Sequence, residues 1–134
     1  MVKNDVRITI SSGADIVAAR QQARQLAADA GFSGTDQTII ATAVSELARN
    51  IVEYARSGEI GLTLLGDATM RGIRVEAHDN GPGIANIELA MQDGYSTGGG
   101  MGLGLPGTRR LMDEFVITSK VGGETTIVTT KWNR

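Results

Sequence analysis

Glu46 and Asn50 stand four residues apart in the run Ser45-Glu46-Leu47-Ala48-Arg49-Asn50. On a helix this spacing puts both side chains on one face, about one turn from each other. A carboxylate there is a candidate general base. An amide oxygen one turn on is a candidate ligand for a hard cation. Mg²⁺ prefers oxygen and often takes only one or two ligands from protein, the rest coming from phosphates and water. The ordinary reading of such a pair is a solvated helix surface. Arg49 sits between them, and its ordinary role is an exposed salt bridge.

Asp79 closes the run Ile73-Arg74-Val75-Glu76-Ala77-His78-Asp79. Strand side chains alternate between faces. If Ile73, Val75 and Ala77 face a core, Asp79 faces it too, and His78 points the other way with Arg74 and Glu76. A carboxylate on a core-facing position is costly unless it meets a donor. Asn80-Gly81-Pro82-Gly83-Ile84 follows, a tight turn whose backbone can approach a flat ligand closely. Two donors fit Asp79: the exocyclic amine of adenine, or backbone N–H groups of a capped turn. His78 is the sole histidine. It has no companion ligands at metal-binding spacing, so it reads as a polar-face strand residue.

Seven of the 18 glycines lie between Gly94 and Gly107. The run Gly98-Gly99-Gly100-Met101-Gly102-Leu103-Gly104-Leu105-Pro106-Gly107 precedes an expected helix. Free N–H groups and a helix N-terminus there suit phosphate, whereas a lone glycine run is more often a flexible surface loop. A P-loop would need a lysine followed by Ser or Thr after its last glycine, and the run has none. Gly102, Gly104 and Gly107 match the dinucleotide spacing, but no early βαβ unit precedes them and too little chain follows. The usual protein-kinase signatures are absent.

The elements that must hold these residues follow from periodicity. Residues 6–11 alternate as a strand. Ile16, Ala19, Ala23, Leu26, Ala27 and Ala30 recur at helical spacing, ended by Gly31. Ile39, Ala43, Val44, Leu47, Ala48, Ile51 and Ala55 form a second helical stripe, with Thr35 or Asp36 as its expected cap and Ser57-Gly58 as its end. Ile60, Leu62 and Leu64 share one face of a strand, as do Ile73, Val75 and Ala77 of the next. Residues 66–72 make the hairpin between them. Residues 79–104 read as mostly loop with a short helix near 86–93. A helix is expected over Leu105, Arg110 and Asp113, and a closing strand pair over 115–120 and 125–132. One strand, two helices, then sheet with helical insertions predicts a two-layer α+β domain whose sheet is mixed but mostly antiparallel, with helices on one face.

The chain has 134 residues, enough for one domain, and they are expected to form a single unit over residues 1–134. Its net charge of −2, with no basic run, argues against nucleic acid as a partner. The absence of cysteine excludes disulfides and thiolate metal sites. No apolar run reads as a signal peptide or a membrane span. A soluble cytoplasmic protein is expected.

Glu46 and Asn50 on a helix, Asp79-Asn80-Gly81-Pro82-Gly83-Ile84 at a strand end, then the glycine run: this is the motif order of the GHKL ATPase superfamily. Gyrase, Hsp90-type chaperones and histidine kinases belong to it. Several segments further resemble the serine/threonine switch kinases of the bacterial stressosome. They are Asp15-Ile16-Val17-Ala18-Ala19-Arg20-Gln21, Ser45 to Asn50, Leu105-Pro106-Gly107, Arg110-Leu111-Met112-Asp113-Glu114-Phe115, and Lys131-Trp132.

The resemblance implies a Bergerat-type sandwich that uses ATP with Mg²⁺. Glu46 would take the proton from a substrate hydroxyl and Asn50 would ligate the metal. Asp79 would bind the adenine amine, with Gly81 and Gly83 shaping that pocket. Gly98, Gly100, Gly102 and Gly104 would cover the phosphates, and Thr125 would match the threonine of the last family motif. The family has glycine before that threonine, whereas this chain has Glu124. Related anti-sigma kinases carry a lid arginine, and none lies between Gly94 and Gly104. Phosphate charge would then fall to backbone N–H groups and metal, or to Arg109 or Arg110.

The implied acceptors are STAS-domain scaffold and antagonist proteins of the stressosome, and the implied second partner is a PPM-type phosphatase. Two other functions compete: a sequestering module resembling an anti-sigma factor, with nucleotide as a structural ligand, and a simple ATPase.

Overall fold

The computed structural model of the chain describes residues 5–83, 91, 104–120 and 122–133. The elements run β1 (Asp5–Ile10), α1 (Gly13–Asp29), α2 (Gly34–Asn50), a π-helical turn (Ile51–Ala55), β2 (Gly58–Gly66), β3 (Arg71–Asp79), α3 (Gly104–Leu111), β4 (Glu114–Ser119) and β5 (Thr125–Asn133). The short helix expected near 86–93 falls on residues that, apart from Met91, lie outside those described.

Alternation along the strands builds one five-stranded sheet in the order β1-β2-β3-β5-β4. Among the described residues all four pairings are antiparallel, so the sheet is not the mixed one expected. Ile8, Ile10, Ile60, Leu62, Ile73, Val75, Ala77 and Ile127 form the buried side of this sheet. Helices α1 and α2 pack on each other and against it, contributing Ala19, Ala23, Leu26, Ala27, Val44, Leu47 and Ala48 to the core. The other side carries Arg7, Glu59, Glu76 and His78, one residue out of phase. The result is the expected two-layer α+β sandwich. Among the described residues no helix is long and apolar enough to cross a membrane.

Local chemistry sets the helix ends. At the start of α1, Asp15 Oδ2 accepts from the Ser11 amide at 2.9 Å and from the Ser11 and Ser12 hydroxyls. These bonds, the Ser11 amide first, lower the Asp15 pKa. At its other end Gly31 takes φ 86°. The Gly31 N–H donates to Ala28 O and the Phe32 N–H to Ala27 O, which together satisfy the last carbonyls.

Three expectations for α2 need correction. The cap is Ser33, not Thr35 or Asp36: its Oγ accepts from the Asp36 N–H at 3.1 Å. Its extended backbone leaves the hydroxyl free to meet the third amide of the helix. The fully buried residue at the start of the stripe is Ile40, while Ile39 is only half-buried. The end of the helix also differs. The regular α-helix stops at Asn50, and the stretch carrying Ala55 is a wider π turn.

Candidate functional site

The end of α2 leads directly to the end of β3. Asn50 is the last residue of α2, half-buried, and the π turn starts at the next position. That turn ends at Arg56, whose φ of 73° and ψ of −40° are uncommon for a residue with a side chain. Two residues on, Gly58 opens β2 directly opposite Asp79 of β3. On its other side Asp79 pairs with Thr125, the first residue of β5. Two ordinary register rules thus collect a helix end, a strand end and a strand start at one edge of the sandwich.

Glu46 is the one buried charged residue among those described, with 6% of its surface exposed. Its Oε1 lies 3.4 Å from the N–H of Gly104, the first residue of α3. Its Oε2 lies 3.8 Å from Arg49 Nη1. A carboxylate at a helix N-terminus meets both a free amide and the positive end of the helix dipole. α3 itself packs on α2. Gly104 has φ 71°, and its carbonyl accepts from the Thr108 hydroxyl at 3.0 Å.

Asp79 Oδ1 accepts from the Gly81 N–H at 2.9 Å, so the side chain shapes its own turn. The turn is wedged from two sides. A Cβ on Gly81 would stand 2.6 Å from Ala55 Cβ and 2.8 Å from Ala55 Cα, so the π turn forms its floor. Gly83 has φ 78°, and a Cβ there would collide with the Lys120 carbonyl oxygen. Between these glycines, Pro82 O accepts from the Gly122 N–H at 2.6 Å. Thr125 is buried, its hydroxyl 2.7 Å from that of Ser119.

Glu46 and Gly104 therefore meet directly, and so do Asp79 and Gly81. Thr125 lies beside Asp79 in the sheet, and Asn50 is one π turn from the Ala55 floor. Gly98, Gly100 and Gly102 lie outside the described residues. His78 stands on the opposite face of the sheet, its Nδ1 3.0 Å from the Thr126 hydroxyl. There it helps line a depression of about 270 Å³ with Arg7, Glu59, Gly61, Glu76 and Thr126. That wall is mixed in charge and is separated from Glu46 by the sheet.

Two residues at the site carried no sequence signal of their own. Ala55 becomes a floor only because the helix widens. Ser119 reaches Thr125 through the β4–β5 register, which places the two opposite each other.

Comparisons with known proteins bear on what this arrangement does. Residues 11–132 match the family described as the histidine kinase-like ATPase domain. The chain is 52% identical over 120 residues to the serine/threonine-protein kinase RsbT of Bacillus subtilis (strain 168), covering 90% of each. It superposes with a TM-score of 0.66 and 25% identity on the crystal structure of the RsbU and RsbW domains of Rv1364c from Mycobacterium tuberculosis. That match covers 95% of this chain but only 31% of the larger one. The SiaB–SiaC complex structure from Pseudomonas aeruginosa matches with a TM-score of 0.58 and 12% identity, over 96% of this chain and 88% of that one. The last likeness concerns the fold alone.

Proposed function

Because the chain belongs to the histidine kinase-like ATPase domain family, we propose that it is a serine/threonine protein kinase that transfers the γ-phosphate of ATP to a protein hydroxyl. The observation that carries this reading is the position of Glu46: a nearly buried carboxylate at the start of α3, one helical turn from Asn50. The relative named a serine/threonine-protein kinase supports it over nine-tenths of both chains.

Phosphoryl transfer asks for positioning and charge neutralisation more than for covalent chemistry. Glu46 holds a carboxylate ready to accept the proton of an incoming Ser or Thr hydroxyl. The Asp79 turn takes the adenine end: with Oδ1 on the Gly81 amide, Oδ2 meets the exocyclic amine. The Gly81 and Gly83 backbone lies flat against the base, and the Thr125 hydroxyl borders the same pocket. Gly98, Gly100, Gly102 and Gly104 supply amides over the phosphates.

Among the described residues, no three His, Asp or Glu side chains are grouped to hold a metal. A Mg²⁺ ion taking one ligand from Asn50 and the rest from phosphate and water fits that donor set. When bound, it neutralises phosphate charge.

The proposed acceptors are STAS-domain scaffold and antagonist proteins of a stressosome, and the released kinase then activates a PPM-type phosphatase, all in the cytoplasm. The motif resemblance in α1, α2 and the α3–β4 segment supports these partners. Incubation with γ-labelled ATP, Mg²⁺ and a STAS-domain protein tests the reading. Label on a Ser or Thr of the acceptor is expected. Stable binding without label would make the chain a sequestering module, and phosphate release without an acceptor would make it a simple ATPase.

A further inference from the structure

We propose that Arg49 is a further catalytic residue of this site, its guanidinium contacting the γ-phosphate of the bound triphosphate. The inference rests on the kinase reading above.

The nucleotide brings several negative charges, and the chain offers few cations to meet them. No Lys or Arg occurs between Arg74 and Arg109. The whole stretch from the Asp79 turn to the middle of α3 is therefore without a cationic side chain. Arg109 and Arg110 lie in the last turn of α3. At 1.5 Å per residue they start about 7–9 Å along the axis from Gly104. Lys120 and Arg56 border the other end of the site, Lys120 beside Gly83 and Arg56 directly after the Ala55 floor.

Among the described residues, Arg49 is the cation seen against Glu46. It precedes Asn50 by one residue. Its Nη1 lies 3.8 Å from one oxygen of Glu46 while the Gly104 amide lies 3.4 Å from the other. An anion held between Asn50 and the start of α3 falls within reach of the guanidinium.

The contact Arg49 makes in its absence is loose. A separation of 3.8 Å is beyond hydrogen-bond range. The arginine side chain is 36% exposed while its partner is 7% exposed. An arginine half in solvent, resting on a nearly buried carboxylate, is placed to change partners. When it turns to phosphate, it leaves the Glu46 oxygen to the acceptor hydroxyl. The acceptor hydroxyl oxygen attacks the γ-phosphorus, the bond from phosphorus to the bridging β-phosphate oxygen breaks, the hydroxyl proton passes to Glu46, and ADP departs. Arg49 neutralises charge on the transferring group, the part an arginine finger plays elsewhere.

The test compares full-length wild type, Arg49→Met and Arg49→Lys, using titration calorimetry with Mg²⁺ and either ADP or a non-hydrolysable ATP analogue, and transfer to a STAS-domain acceptor. Arg49→Met should lose about tenfold in affinity for the analogue while ADP binding holds, and about 10³-fold in transfer rate. Arg49→Lys should recover part of both. An analogue-to-ADP affinity ratio equal to that of wild type overturns the proposal. So does slowed transfer with an unchanged ratio, which would make Arg49 only a support for Glu46. Failure of the wild type to bind either nucleotide would sink the kinase reading itself.

Discussion

The Gly104 amide and the Glu46 carboxylate stand 3.4 Å apart although 58 residues separate them in the chain. The candidate base is thereby tied to the point where the glycine run becomes helix. Glu46→Gln keeps the volume and an acceptor oxygen for that amide but removes the proton-accepting charge. Transfer to protein should fall by about 10²–10⁴-fold, with ATP affinity within a factor of about two of wild type by calorimetry. Normal transfer in the variant would remove Glu46 from the base role.

Asp79→Asn exchanges an acceptor oxygen for a donor nitrogen where the adenine amine is proposed to bind. Two N–H groups facing each other cost affinity, about tenfold or more. The folded turn survives, because an amide oxygen still accepts from Gly81. Calorimetry with ATP, alongside a thermal melt, separates the two effects. Unchanged affinity would take Asp79 out of the nucleotide site.

Gly81→Ala puts a methyl group against the Ala55 backbone, 2.8 Å from its Cα. Backbone cannot swing aside as a side chain can. A loss of about 1–3 kcal/mol in stability is expected, read as a lower Tm, together with weaker ATP binding. Gly83→Ala combines a positive φ with a collision on the Lys120 carbonyl and should be at least as severe. A variant that melts and binds like wild type would contradict the close approach.

Arg56 holds φ 73° and ψ −40° at the end of the π turn. Glycine enters that region without the Cβ clash, at some extra unfolded-state entropy. Arg56→Gly should stabilise the fold by about 1 kcal/mol, the lower end of the cost of such a conformation. Guanidinium chloride unfolding checks the sign. A lower midpoint would mean that the arginine side chain contributes more than its backbone costs.

Asp15 and Asp67 supply the acid dependence. Both carboxyls have pKa values lowered from 3.8, Asp15 chiefly by the Ser11 amide and Asp67 chiefly by the Thr69 hydroxyl. A depressed folded pKa stabilises above the ordinary value, and that contribution is lost as pH falls from 3.8 through the lower folded pKa. Asp15→Asn should therefore melt below wild type near neutrality, with the gap closing as pH falls below 3.8. A gap that stays constant with pH would show that charge plays no part.

Much of this was legible in the sequence. Alternation at Ile73, Val75 and Ala77 placed Asp79 on the helix-packed face and His78 on the other. Spacing placed Glu46 and Asn50 on one helix face, and only the order of the three motifs set them apart from a solvated pair. What escaped depended on tertiary contact. Thr35 and Asp36 are as good caps as Ser33 by type, and only the helix start decides which hydroxyl meets an amide. Ile39 and Ile40 are equally apolar, so the phase of the stripe was uncertain by one residue. The π turn left no mark because Ile51 and Ala55 also fit a regular α-helix. Arg49 read as surface charge, since nothing local announced that Glu46 would be buried beside it.

The pairing of β3 with β5 has an evolutionary side. Asp79 and Thr125 are neighbours in the sheet, yet the segment between Gly83 and Gly104, which carries most of the glycine run, lies between them in sequence. The sheet holds its register by pairings on both sides of β5, so it does not depend on the length of that intervening stretch. Doubling the length of a connection adds only about 0.6 kcal/mol of closure cost. A lineage can therefore lengthen, shorten or rewrite that stretch while Glu46, Asn50 and Asp79 remain where they are. The topology separates the part that can diversify from the part that must stay.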